Sequence, residues 1–549
     1  MEPPLAASEP PRTSREPIAD WARLANAEAF PGDPSAAQGV EWIQTHLSHV
    51  FRTGQRVYKF RKPVDLGFVR FLSRAERNGD CLREVSLNQR LAPDVYLGLA
   101  PLVGSRAYPR IGPTAGSLTA DVREHCVVMR RLPDHRDALS LLDRGALSAE
   151  MLDALSSVLV RFHAAQTLGA PAPFTSEEWL ERCTRPADDS LIALEGAVCA
   201  PADLLARTRE HLRAFAAGHA DRFERRRRAG RAVDAHGDLH LQHVWFEREG
   251  RDPIAIDCLE FNDGLRRIDV AAEVAFLAMD LTYRGAPGLA ERFLRSYAHE
   301  SDDFDLYSVV DYFIGYRALV RAKVAAFAAR DPGIAVPQRE RAAASVCRHL
   351  ALAAAALVPS ARPVLLLVGG VVGTGKSTVA AELANHLDGV VIASDRVRKR
   401  LAGVSATTRL GAGWQRGAYA PEQTERVYSA LLERARPVLV SGRAAILDAT
   451  FARRAQRAQA AQFASELGVD VFFVEARCAA EVARERLARR AAAGRDPSDA
   501  GPELYDASAR EFEPASEWPE RSRASVLTDA SDWRATLPGL ADRIRGSRC

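Results

Sequence analysis

What this sequence lacks narrows it first. Its charges nearly cancel: 74 Lys and Arg against 71 Asp and Glu leave a formal charge of +3. A nucleic-acid reader needs a basic excess, so that class is not expected. The eight cysteines, at positions 81, 126, 183, 199, 258, 347, 478 and 549, are scattered and never fall at metal-ligand spacing. Such usage fits a reduced, cytoplasmic setting better than a disulfide scaffold. No apolar run suits a membrane span: the blandest stretch, Arg341 to Leu357, is interrupted by Ser345, Cys347, Arg348 and His349 and reads as a soluble helix. The first residues carry acids and prolines without an apolar signal core, so no secretory segment is expected. No internal repeat is evident.

What is present is a chain too long for one ordinary core. At 549 residues and 47% hydrophobic content, two or three domains are expected. Residues 1–35, rich in Pro, Ala and charge, read as a flexible leader. Residues 36–357 form a first domain, 358–363 a linker marked by Pro359 and Pro363, and 364–545 a second domain. In the first domain Val57–Phe60 and Cys126–Met129 read as strands. Asp80–Leu91, Ser148–Gln166 and Ala202–Arg228 read as helices, and short strands flank a polar loop between Val233 and Asp257. The basic knot Arg225–Arg228 reads as a solvated face or an anion patch. Beyond the linker, alternating strands and helices indicate a parallel sheet covered on both faces.

The most specific signal is Gly370-Val371-Val372-Gly373-Thr374-Gly375-Lys376-Ser377, between an apolar run (364–369) and a helical pattern from Thr378 to Leu387. Strand, glycine-rich loop and helix in that order make a phosphate-binding loop. Its glycines let backbone amides close around phosphate oxygens. Lys376 reaches the β/γ-phosphates and Ser377 holds Mg²⁺, with Thr374 and Thr378 beside them. Val390–Asp395 reads as a second strand ending in an acid, and Asp395 is placed to align or deprotonate an acceptor hydroxyl, or to cap the next helix. Ala444–Asp448 reads as a third strand whose Asp448 orients Mg²⁺, with Thr450 nearby. Val471–Glu475 is a fourth, followed by a helix from Glu481 to Arg490. Arg486, Arg490 and Arg495 could close over phosphates or simply face solvent.

The second signal is His236-Gly237-Asp238-Leu239-His240, ahead of Ile254-Ala255-Ile256-Asp257. One acid in a tight loop and another after a later strand are what a kinase-type phosphotransferase needs. Asp238 orients the acceptor hydroxyl and Asp257 carries Mg²⁺. Upstream, Lys59 on a strand and Glu84 on a helix can pair to grip phosphates, with Lys62, just before Pro63, as the competing lysine. Arg317, Arg321 and Lys323 suit an anionic substrate, or salt bridges with Asp311 or Asp269. Glu260 and Asp263 suit a cationic one, and the residues leave the acceptor open.

On these motifs residues 40–330 are similar to an aminoglycoside phosphotransferase-type kinase domain. The second half resembles the small P-loop kinases, a group that includes gluconate kinases and zeta-toxin-like enzymes. The whole chain resembles the bacterial family described as bifunctional aminoglycoside phosphotransferase/ATP-binding proteins. Thr45-His46-Leu47-Ser48, Lys62-Pro63-Val64-Asp65-Leu66-Gly67 and Tyr316–Lys323 continue the match. The resemblance implies a multidomain α+β and α/β chain, in which a protein-kinase-like domain precedes a P-loop NTPase domain with a parallel sheet. It implies ATP, Mg²⁺, a small-molecule hydroxyl acceptor and contact between the domains. Asp395 would serve the acceptor, with Arg398, Arg486, Arg490 and Arg495 as a lid. Thr45, Ser48 and Gly54 would cover phosphates in the first domain. One departure stands out: the family loop ends in a metal-ligating Asn, and this chain has His243 there, a poorer partner for Mg²⁺. The alternatives are a nucleotide-binding regulatory ATPase with a degenerate first domain, or a zeta-toxin-like kinase.

Overall fold

The computed structural model describes residues 18–65, 69–120, 122–248, 252–358, 362–404, 408, 419–493 and 502–546. Two compact units emerge. One comprises Met1–Arg144, Gln242–Arg248 and Pro253–Leu265; the other comprises Gly145–Leu241, Glu249–Asp252 and Arg266–Cys549. The boundaries between the units fall at residues 144–145 and in the span 241–266.

The first unit is built on a six-stranded antiparallel sheet. Its strands are β1 (Glu41–Gln44), β2 (Ser48–Arg52), β3 (Arg56–Arg61), β4 (Tyr96–Gly104), β5 (Pro109–Ile111) and β6 (His125–Arg130), in the order β1-β2-β3-β6-β4-β5. Helix α1 (Arg74–Asn88) starts at a capping box between Ser73 and Glu76. It lays Cys81 and Val85 against Tyr96, Leu99 and Val127. On the other side Ala19, Leu24, Phe30 and Ala36 join a core with Phe51, Tyr58 and Phe60. The leader expectation is thus corrected for residues 18–35. Their apolar side chains are spaced to cover the sheet, which composition alone did not reveal.

The second unit contains helices α2 (Ala149–Ala165), α3 (Val270–Tyr283), α4 (Pro287–Ser301), α5 (Val310–Arg330) and α6 (Val336–Ala355). The helix expected over Ala202–Arg228 is two, Ala202–Gly218 and Ala220–Arg228, broken at His219. In the basic knot Arg225 and Arg228 are exposed, as a solvated face would be, but Arg226 is fully buried, and its guanidinium donates to Asp269 and Asp303. A buried guanidinium between two carboxylates is a structural clamp, not an anion patch.

The same unit carries a five-stranded parallel sheet. Its strands are β7 (Val364–Gly369), β8 (Val390–Ala393), β9 (Ala445–Asp448), β10 (Asp470–Arg477) and β11 (Arg523–Leu527), ordered β8-β9-β7-β10-β11. Helices α7 (Lys376–Leu387), α8 (Ser394–Leu401), α9 (Pro421–Val440), α10 (Arg454–Leu467), α11 (Ala480–Ala493) and α12 (Tyr505–Glu511) accompany it. Within this unit Arg443, two residues before β9, binds both Glu291 of α4 and Asp311 of α5 at 2.8 Å. Arg434 of α9 binds Asp302 at 2.7 Å. Among the described residues no helix is long and apolar enough to cross a membrane.

Candidate active site

Strand β7 delivers the phosphate loop. All six of its residues are buried, as a central parallel strand requires. Beyond it Gly370, Gly373 and Gly375 have φ of 135°, 82° and 89°. A Cβ on Gly370 would stand 2.4 Å from the Ala476 carbonyl, and one on Gly373 2.8 Å from that of Ala483. Both backbone and space demand glycine at these two positions. Helix α7 begins here, with Gly375 as its N-cap and Lys376, Ser377 and Thr378 in its first turn. The loop is braced from behind. Thr374 Oγ1 donates to the Val371 carbonyl (2.8 Å), and Thr528 Oγ1 donates to the Thr374 carbonyl (2.7 Å). Lys376 Nζ donates to the Val371 carbonyl (3.0 Å).

Acids surround this lysine. Asp448 ends β9 and is buried; burial pushes its carboxyl up, against the Ser377 hydroxyl bonded to it and the charge of Lys376. Burial likewise pushes Lys376 down, while Asp448 and Asp395 resist. Asp395 is the second residue of α8, whose N-cap is Ala393. Asp395 is therefore not the cap. It lines a cavity of about 1350 Å³ together with Lys376, Ser377, Asp448, Thr450 and Arg490. Thr450 is held by the Tyr428 hydroxyl (3.1 Å), which also accepts from the Phe451 amide (2.9 Å). Arg398 lines the cavity with its guanidinium 4.5 Å from the Tyr419 ring centre.

The lid expectation needs one correction. Arg486 donates to Thr528 Oγ1 (2.8 Å) and to the Thr528 carbonyl (2.9 Å). It props the residue that props the loop, which is a bracing role more than that of a free cation. Arg495 lies outside the described residues. Thr528 and Tyr428 went unseen in the sequence, since neither stands near a motif. The donor set fits the groups the fold implies. Ser377 and Asp448 present hard oxygens side by side, as Mg²⁺ prefers. A glycine cradle beside a buried lysine suits a triphosphate.

The kinase-type residues divide between the units. In the first unit Lys59 Nζ on β3 donates to Glu84 Oε1 of α1 (3.0 Å) and to Asp257 Oδ1 (2.8 Å). His243 Nε2 stands 3.6 Å from Asp257 Oδ2. Burial would raise the Asp257 carboxyl, but Lys59 and then His243 hold it well below the usual carboxylate range. Lys62 is outside β3 and donates to the Thr45 carbonyl at 2.8 Å. Arg61, two residues after Lys59 and so on the same strand face, was missed. It donates to Asp80 (2.5 Å), to Glu84 (2.7 Å) and to Glu260. Glu260 and Asp263 are thus not open to a cationic acceptor, since Asp263 accepts from Arg83 (2.6 Å). Thr45 and Ser48 flank the β1–β2 turn. Gly54 belongs to the next turn, where a Cβ would meet Gln38 and Ser35.

In the second unit Asp238 stands 3.6 Å from His240 Nε2. The amides of His236 and Gly237 donate to Glu273 (2.7 and 3.0 Å), and the Leu241 amide donates to Asp280 (3.0 Å). Arg317 donates to the carbonyls of Ala272 (3.0 Å) and Gly237 (3.2 Å). Arg317 therefore stiffens the Asp238 loop. The salt bridges expected for it are made elsewhere: Asp311 serves Arg443 and Asp269 serves Arg226. For Mg²⁺ the fit around Asp257 is poor: its carboxylate is already engaged by Lys59, and its neighbour is an imidazole.

A sheet lysine paired to a helix glutamate, a braced His-Gly-Asp loop and a phosphate-loop sheet define the class. The fold is that of a protein-kinase-like half followed by a P-loop domain. A family model described as an AAA domain matches residues 365–515. The chain is 34% identical over 464 residues to uncharacterized protein Rv2004c of Mycobacterium tuberculosis, covering 82% of this chain and 86% of that protein. A Mycobacterium bovis protein, Mb2027c, matches to the same extent. The chain belongs to the family of these mycobacterial proteins. Among solved structures it is similar to a choline/ethanolamine kinase family protein from Mesorhizobium loti. That match has 17% identity and a TM-score of 0.34, and covers 61% of this chain and 99% of that one. It is also similar to a gluconokinase from Sinorhizobium meliloti, with 17% identity and a TM-score of 0.24, covering 34% of this chain and 92% of that one. Likenesses this loose say nothing of activity or substrate.

Proposed function

We propose that this chain transfers the γ-phosphoryl group of ATP to a hydroxyl of a small molecule, with the P-loop region as the working site. The observation that carries the reading is one cavity holding the glycine cradle, Lys376, the Ser377–Asp448 pair and Asp395. Asp395 aligns the acceptor hydroxyl and takes its proton. The acceptor oxygen bonds to the γ-phosphorus, the bond from that phosphorus to the β,γ-bridging oxygen breaks, and ADP leaves. Lys376 and Arg490 meet the charge on the transferring group. Mg²⁺, held by Ser377 and Asp448, would neutralise the β- and γ-phosphate oxygens.

The family likeness to bifunctional aminoglycoside phosphotransferase/ATP-binding proteins supports two nucleotide-type halves. An aminoglycoside acceptor is not favoured, because Glu260 and Asp263 are committed to Arg61 and Arg83. The first half is read as a nucleotide-binding regulatory element, on the evidence of an Asp257 carboxylate already neutralised by Lys59.

A phosphoryl-transfer screen with the full chain, ATP and Mg²⁺ tests the assignment, comparing wild type with Lys376→Ala and Asp238→Ala. Loss of product in Lys376→Ala alone is expected. Loss in Asp238→Ala alone would move the chemistry to the kinase-like half.

A further inference from the structure

The phosphate-loop cavity reaches beyond the P-loop domain. Its lining includes Asp153 and Ser157 of α2 and Arg292, Ser296 and His299 of α4. We propose that these two helices wall the acceptor passage to Asp395 and select an uncharged, hydroxyl-rich small molecule, such as a sugar or polyol. The inference rests on the phosphotransferase reading above.

Helix α4 is fixed along the edge strand of the parallel sheet. Arg295 donates to the carbonyl of Gly389 (2.9 Å), one residue before β8, and to Asn385 Oδ1 (3.1 Å). At the strand's other end Arg396 of α8 donates to the His299 carbonyl (3.2 Å). The helix therefore spans from the start of β8 to the helix that bears Asp395. Covering an open strand edge explains why a helix packs there. It also places α4 side chains in the same cavity as the reacting groups.

Charge separates the two sides of that cavity. The nucleotide side has Lys376, Arg489 and Arg490, with Arg486 bracing Thr528, against Asp448 and Asp395, a cationic excess suited to phosphates. On the α2–α4 wall the charged side chains are engaged, Arg295 by two neutral acceptors, the Gly389 carbonyl and Asn385, and the others by opposite charges. Asp153 accepts two bonds from Arg292 (3.0 and 2.5 Å), and Glu300 stands 3.6 Å from Arg396. His299 is kept neutral, pushed down to about 3 by burial. Ser157 and Ser296 add hydroxyls. An anionic acceptor is best met by an uncommitted guanidinium, and a quaternary ammonium by aromatic faces. Paired charges and hydroxyls instead give the alternating donors and acceptors that a polyol's hydroxyls use.

The test uses the full chain with radiolabelled ATP, Mg²⁺ and three probe sets: neutral hexoses and inositol, the cations glucosamine and choline, and the anions gluconate and glucuronate. Transfer to a neutral probe is expected. Ser296→Trp should raise the KM for that probe about tenfold or more, with ATP affinity by calorimetry unchanged. Ser157→Phe, on the other helix, should do the same if Ser296→Trp proves unstable in a thermal melt. Transfer to charged probes alone, or an acceptor KM indifferent to both variants, overturns the proposal. If the wild type binds ATP but phosphorylates no probe, the wall proposal falls while the phosphate loop stands. If it binds no ATP, the phosphotransferase reading itself fails.

Discussion

Two regions of this molecule bring acids and a lysine together, and they neutralise those acids differently. Around the phosphate loop Asp448 is paired with a hydroxyl, and the nearby Lys376 spends its hydrogen bond on a backbone carbonyl. Around β3 every acid has a cation of its own chain: Asp257 and Glu84 have Lys59, and Asp80, Glu84 and Glu260 share Arg61. The first arrangement bonds its acid to a neutral hydroxyl; the second gives each acid a cation.

The sharpest way to break the comparison is Lys376→Ala. It should cost about 100-fold or more in phosphoryl transfer while leaving the thermal melt nearly unchanged. Arg61→Met probes the opposite case. Removing the cation that three buried carboxylates share should cost about 3–5 kcal/mol of stability, read by denaturant unfolding, with ATP affinity at the phosphate loop retained.

Acidity sharpens the comparison further. Burial, with Glu84 and Asp80 as crowding acids, pushes Glu260 up to about 8 despite Arg61. A carboxyl raised in the folded state binds a proton there that the unfolded chain has released. Its contribution to stability is therefore full below the ordinary 4.5 and is lost as pH rises through about 8. Melts across pH 5–9 should show the first unit weakening as pH rises, and Glu260→Gln should flatten that slope. The smallest effect is expected for Thr528→Val, which removes the hydroxyl linking Thr374 to Arg486. A loss of about 0.5–1.5 kcal/mol should appear as a several-fold weaker ATP affinity by calorimetry.

The phosphate loop was legible in the sequence because its function is local. Gly370, Gly373 and Lys376 act through the backbone they themselves shape, so spacing alone reports them. Lys59 and Glu84 sit on readable elements, and Asp257 follows one, so their spacing pointed to them. Arg226 and Arg317 were misread because charge says nothing about burial: their partners lie 43 or more residues away, at Asp269 and Asp303 for Arg226 and at Gly237 and Ala272 for Arg317. Residues 18–35 were misread because proline and alanine suggest a tail, while the few apolar side chains among them do the packing. Nothing in the sequence of helix α4 shows that it borders a cavity.

Arg443 carries a practical consequence. It grips Glu291 and Asp311 just ahead of the short strand that ends in Asp448. Severing the gene near residue 360 to express the halves apart would leave a stranded guanidinium in one product and two orphaned carboxylates in the other. Neither product alone would then hold the partners that anchor the approach to Asp448.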